Sequence, residues 1–115
     1  MAVLRLKADL WVKAYVRTCN AAGAPTFVVR RGDEHAGSIF IRVTHLDGNS
    51  ELYGPAAAGL AEVASDRRWS RRLLATDSEI EALIKREIEF DRDVWLIEVE
   101  DRQGRHFLDE WLISD

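Results

Sequence analysis

Three groups of side chains in this sequence are dense enough to do chemistry. The first lies toward the C-terminal end, where Asp91, Asp93, Glu98, Glu100, Asp101, Asp109 and Glu110 surround His106. Carboxylates beside an imidazole are what general acid/base catalysis or a divalent cation would need. On a strand, Glu98 and Glu100 share a face, and a hairpin at Gly104 would bring His106 opposite them. The spacing matches no established metal motif, and acids at alternate strand positions are also what a solvated face looks like. The solvated face is the favoured reading. Glu98, Glu100 and His106 remain catalytic candidates, and no metal site is assigned.

The second group is Asp33-Glu34-His35, set between two glycines and following Arg30 and Arg31. A polar loop between strands is a common seat of function, which makes Asp33 and His35 candidate binding residues. The competing reading, a hairpin loop charged for solubility, is favoured. The third group is Arg67-Arg68-Trp69-Ser70-Arg71-Arg72. Its arginines could contact phosphates while the indole stacks on a base. As a strand, however, it would place Arg68, Ser70 and Arg72 on one face and Arg67, Trp69 and Arg71 on the other. That splits the patch, and a charged edge strand guarded against aggregation is favoured. Arg68, Trp69 and Arg72 are kept as binding candidates.

The remaining chemistry-bearing residues are sparser. His45, near a strand end, reads as a partly buried structural histidine, and three scattered histidines make a weak case for zinc. Cys19 falls on the apolar side of a helix and reads as a core residue rather than a nucleophile. There is no Walker loop, dinucleotide fingerprint, G-x-S-x-G elbow or H-E-x-x-H, and no cofactor is expected. Trp11 and Trp95 occupy core registers, whereas Trp69 and Trp111 could mark a contact surface.

The elements that must position these residues follow from periodicity. Residues 6–22 read as a helix with Trp11, Val12, Tyr15, Val16 and Cys19 on one side, stopped by Gly23 and Pro25. Residues 26–31 and 37–46 read as strands. Asp47-Gly48-Asn49-Ser50 should turn the chain, because glycine and asparagine tolerate positive φ, and residues 51–54 should return as a third strand. Together these three strands predict an antiparallel meander. The stretch 55–66 is irregular, with a fourth strand over 67–74. Thr76 caps a second helix, Glu79 holds the reciprocal capping-box position, and Ile80, Leu83, Ile84 and Ile88 form its buried face. Residues 94–100 form a last clear strand, whose second side also carries Val94 and Leu96 and is therefore half covered. The tail from 105 fits a closing strand or a short helix. The resulting fold class is α+β, an antiparallel sheet of four to five strands with two main helices.

Composition sets the outer limits. A chain of 115 residues supports one core and reads as a single domain. Twenty acids against 16 bases give a net charge of −4, which argues against general affinity for nucleic acid or anionic membranes. A single cysteine excludes an internal disulfide and fits a reducing cytoplasm. Arg5, Lys7 and Asp9 break up the early apolar residues, so neither a signal peptide nor a membrane span is expected.

Four runs, in order and spacing, carry a family likeness: RLKADLWV (5–12), RRGDEHAGSIFIRV (30–43), LDGNSELYGPA (46–56) and FDRDVWLIEVEDRQGRHFLDE (90–110). They resemble a bacterial family of small uncharacterised proteins, filed as a domain of unknown function. The resemblance implies a compact bacterial cytoplasmic protein and brings no activity, cofactor or catalytic residue with it.

The expectation that results is a non-enzymatic binding or adaptor domain acting through a protein interface, with exposed Trp69 or Trp111 as its signature. A small metal-dependent or acid/base enzyme built on Glu98, Glu100 and His106 is the alternative. A third reading is RNA or nucleotide binding through Arg68, Trp69 and Arg72. A homodimer through an open sheet edge is a further partner expectation.

Overall fold

The apolar stripe of the first segment becomes helix α1 (Ala8–Ala21), whose buried Ala8, Trp11, Val12, Tyr15 and Cys19 keep helical spacing. The computed structural model describes residues 6–56 and 67–113. The stretch 57–66, expected to be irregular, lies outside the described residues. α1 stops as its sequence demands. Gly23 sits at φ 89°, its N–H donates to Asn20 O at 3.0 Å, and Ala24 N–H reaches back to Cys19 O at 3.0 Å. Only glycine adopts that conformation freely, so Gly23→Ala is expected to cost about 1 kcal/mol. The check is a urea midpoint that falls while the slope stays fixed.

Five strands follow: β1 (Thr26–Arg30), β2 (Ile39–Thr44), β3 (Asn49–Pro55), β4 (Trp69–Thr76) and, after helix α2 (Asp77–Phe90), β5 (Trp95–Glu100). The capping box at α2 forms with one change. Thr76 Oγ1 accepts the Glu79 N–H at 3.3 Å, but the Glu79 carboxylate takes the threonine hydroxyl at 3.2 Å. The β2–β3 turn differs too. Positive φ falls on Gly48 (97°) and on Leu46 (63°), not on Asn49, whose N–H is instead held by Asp47 Oδ1 at 3.0 Å.

The sheet order, β1-β5-β2-β3-β4, corrects the expected meander. β2, β3 and β4 pair antiparallel in sequence, but β1 pairs with β5, which lies parallel to β2 and separates it from β1. The β1–β2 connection is too committed elsewhere to act as a tight hairpin. Its Glu34 and His35 carbonyls accept the Asp9 and Ala8 N–H groups of α1, both at 3.1 Å, and Asp33 N–H donates to Asp93 O at 3.0 Å. β5, a central strand, buries side chains on both faces, Trp95, Ile97 and Val99 against α1 and Leu96 against α2.

One helix covers each face. On the α1 face, Trp11 and Tyr15 pack with Ile41, Tyr53, Trp69 and Ile97. On the α2 face, Ile80 and Ile84 pack with Phe40, Leu52, Val94 and Leu96. Beyond β5 the chain crosses to the α1 side, makes a 3-10 turn (Asp109–Trp111) and touches β4 through a Trp69–Leu112 bridge. Asn20, at the end of α1, bonds both backbone groups of Thr26 on the edge strand, at 3.0 and 3.1 Å. Among the described residues no helix is long and apolar enough to cross a membrane.

Candidate functional site

The sheet keeps the acid/base candidates apart. Glu98 lies on the α2 face, where Arg42 reaches it at 3.7 Å, and Glu100 shares that side by alternation. His106 lies on the α1 face, its ring 5.3 Å from that of Tyr53, its carbonyl accepting the Tyr15 hydroxyl at 2.6 Å. No hairpin forms at Gly104 to bring His106 back, because the tail is drawn to α1 instead. The three side chains do not converge. Glu98 instead joins Asp77 (3.2 Å) and Glu81 (3.7 Å) around the largely buried Arg42 guanidinium. Burial raises the Glu98 carboxyl against the pull of Arg42, while the Ser50 hydroxyl and then Arg42 hold Asp77 below the usual carboxylate range. Among the described residues no three His, Cys, Asp or Glu side chains are grouped as metal ligands.

The arginine–tryptophan patch is dispersed as the strand alternation implied. Trp69 is 2% exposed, stacks on Trp11 with centroids 4.3 Å apart, and donates its indole N–H to Ile39 O at 2.8 Å. It is a core residue, not a stacking platform. Arg67 is buried against the Leu6, His35 and Gly37 carbonyls. Arg71 turns to Glu51 on the α1 face. Arg72 bonds Pro55 O and lies over Phe40 on the α2 face, while the half-buried Arg68 reaches the Arg67 carbonyl at 3.2 Å. In the loop, Asp33 Oδ2 accepts the His35 and Ala36 N–H groups, which hold its carboxyl low, and the His35 ring stands in solvent beside Glu34. This loop braces the N-terminus of α1.

Sequence reading missed a buried polar cluster. Glu51 accepts from Tyr53 OH at 3.0 Å and Arg71 at 3.1 Å, and its other oxygen meets His45 Nε2 at 2.8 Å. Burial opposes the Glu51 charge, but His45, Arg71 and Tyr53 outweigh it and hold the carboxyl below its ordinary range. Gly104, at φ 70°, passes over the pair so closely that a Cβ would sit 2.8 Å from His45 Nε2. The cluster is closed by its own partners and fixes the turn into the tail. At that turn Asp101 takes Arg105 through both oxygens, at 2.9 and 3.0 Å.

The tail then builds the open site. Buried Leu108 anchors it, and Phe107 (φ 58°) and Asp109 (φ 47°) bend it around that anchor in conformations uncommon for non-glycine residues. Between this hook and α1 lies a hollow of about 320 Å³ lined by the rings of Trp11, Tyr15, Phe107 and Trp111 and by Asp109 and Glu110. Trp11 and Trp111 meet edge to face, at 71° with centroids 5.5 Å apart, and Trp11 is itself buried and stacked on Tyr15 as well as on Trp69. Trp111, singled out from sequence as a contact residue, is half-buried there. Trp11, Tyr15 and Phe107 gave no such signal, because core-register aromatics look alike whether or not a cavity adjoins them. A second, more open groove of about 300 Å³ lies between α2 and β1, over Val29, Ile84 and Leu96.

A five-stranded mixed sheet with one helix on each face and a hooked C-terminal tail defines a small α+β protein. Residues 6–109 match the family described as "Protein of unknown function (DUF1491)", and the chain belongs to that bacterial family. A crystal structure of a family member from Caulobacter crescentus is 33% identical, with a TM-score of 0.79 over 96% of this chain and 100% of that one. An NMR structure from the same organism gives 33% identity and a TM-score of 0.80 over 97% and 100%. A solution structure of an A. tumefaciens protein is 40% identical, with a TM-score of 0.73 over 84% and 86%. No curated protein matches the chain.

Proposed function

We propose that this chain is a non-enzymatic binding domain of the bacterial cytoplasm that meets a protein partner through the hollow between α1 and the tail. One observation carries the reading: a concave aromatic site with a half-buried tryptophan at its wall, formed where the backbone is strained. Tryptophan and tyrosine in such a setting are the residue types that dominate binding energy at interfaces. The buried lone Cys19 suits a reducing compartment.

Capture by the tagged protein from its host lysate, with and without nuclease, tests this against Trp111→Ala. A stoichiometric protein partner that survives nuclease and is lost with Trp111→Ala is the expected result, with the variant's circular dichroism unchanged. Capture that is insensitive to Trp111 would refute the site, and loss on nuclease would return attention to the arginines of β4.

A further inference from the structure

We propose that the hollow takes an alkylammonium cation, presented by a lysine side chain of the protein partner. The inference rests on the binding reading above and names the chemistry of the occupant. The first argument is what the hollow has left to offer. The Tyr15 hydroxyl is committed to His106 O at 2.6 Å, and the Thr18 hydroxyl to Ala14 O at 2.9 Å. The Trp11 indole N–H is buried and points at no acceptor among the described residues. The carboxylates of Asp109 and Glu110 are exposed, and among the described residues neither has an ion pair or a side-chain hydrogen bond. The one unpaired donor, the Trp11 indole N–H, is buried, so the exposed polar capacity of the site is that of the two carboxylates, acceptor-only and negative. An anion is repelled and a neutral donor under-uses the charge. A cation satisfies both.

The second argument is the walls. Aromatic faces attract cations through their quadrupole, and the rings with surface left at the hollow are the half-buried Trp111 and Phe107, since Trp11 is buried and stacked on Tyr15 and Trp69. This protein already uses that attraction within its own fold. Arg31 lies 5.1 Å from the Trp95 centroid, and Arg105, held by Asp101, lies 5.1 Å from that of Phe107 in the hook itself. A cavity of about 320 Å³ falls at the small end of ligand sites, the size for a single side chain rather than a large cofactor.

The test titrates the folded chain with Nα-acetyl-lysine N-methylamide, its Nε-trimethyl form and the uncharged norleucine analogue, following the Trp11 and Trp111 indole resonances by NMR. Both cations are expected to shift those resonances and to bind roughly tenfold or more tightly than norleucine. The double variant Asp109→Asn/Glu110→Gln should lose that preference while keeping its fold, since asparagine tolerates the positive φ at position 109. Equal binding of norleucine, or cation binding untouched by the double variant, would overturn the proposal. Tighter binding of choline than of the lysine probes would overturn the partner's lysine as its source. If no cation binds but Trp111-dependent capture persists, this inference falls and the binding reading stands. If cations bind and capture does not depend on Trp111, the binding reading falls and takes the partner's lysine with it, leaving only a cation-binding hollow.

Discussion

Trp69→Ala is expected to remove about 3–5 kcal/mol of stability, the cost of truncating a fully buried aromatic side chain. That would be a large share of the roughly 5–15 kcal/mol that holds a typical domain folded. Three parts of the molecule meet at this residue. Its ring stacks on Trp11 of α1, its indole N–H bonds Ile39 O of β2, and its carbonyl accepts Ile113 N–H of the tail at 2.8 Å. The loss should therefore appear together in the denaturation midpoint and in the protection of α1 and tail amides. Trp69→Phe keeps a ring and should lose less. A variant that unfolds at the wild-type denaturant concentration would show that Trp69 is not the keystone described.

The second large effect is expected at Glu51. Its carboxylate is buried, and Glu51→Gln weakens acceptance from Arg71 and Tyr53 and sets an amide against His45. A cost of about 2–3 kcal/mol at neutral pH is the scale for leaving such buried groups poorly matched. The pH dependence has a definite sign. The folded-state pKa of Glu51 is depressed, so the unfolded chain binds more protons in that range. The stabilisation is fully present above the unfolded value of about 4.3 and is lost as pH falls through the folded value. Asp101 adds to this in the same direction, its carboxyl held low first by Arg105. Denaturant titrations at neutral pH and near pH 3 should show the gap between wild type and Glu51→Gln closing as the solution is acidified. A gap that stays constant would mean that the charge of Glu51 contributes nothing.

The helices were legible because their signals are local. Gly23 and Thr76 act within one helical turn of their own position, and the stripes of α1 and α2 need no distant partner to be read. The pairing of β1 was not legible, since alternation gives the faces of a strand but not its neighbour. The clue that existed was Val94 and Leu96, apolar residues on the same side as Glu98 and Glu100, which mark a strand partly covered on its second face. That same central placement separates Glu98 from His106, so the one error of topology also decided the fate of the acid/base reading. The hollow left even less trace. It depends on left-handed backbone at Phe107 and Asp109, residue types that do not announce it, and on a tail whose pattern fitted both strand and helix.

The position of β5 also dictates an order of assembly. Thr26 must find Val99, and Ile39 must find Trp95, before the sheet has a middle. The β2–β3 hairpin can zip from its own turn, with β4 added after it. During synthesis, then, α1 and β1 leave the ribosome before β5 and wait for it with the backbone edge of β1 unpaired, while Phe27, Val28 and Val29 stay exposed even in the finished sheet. The strand that completes the sheet is threaded between two that preceded it. Such non-local pairing makes for slow folding, and it ties the native pairing of β1 to the arrival of residues 95–100.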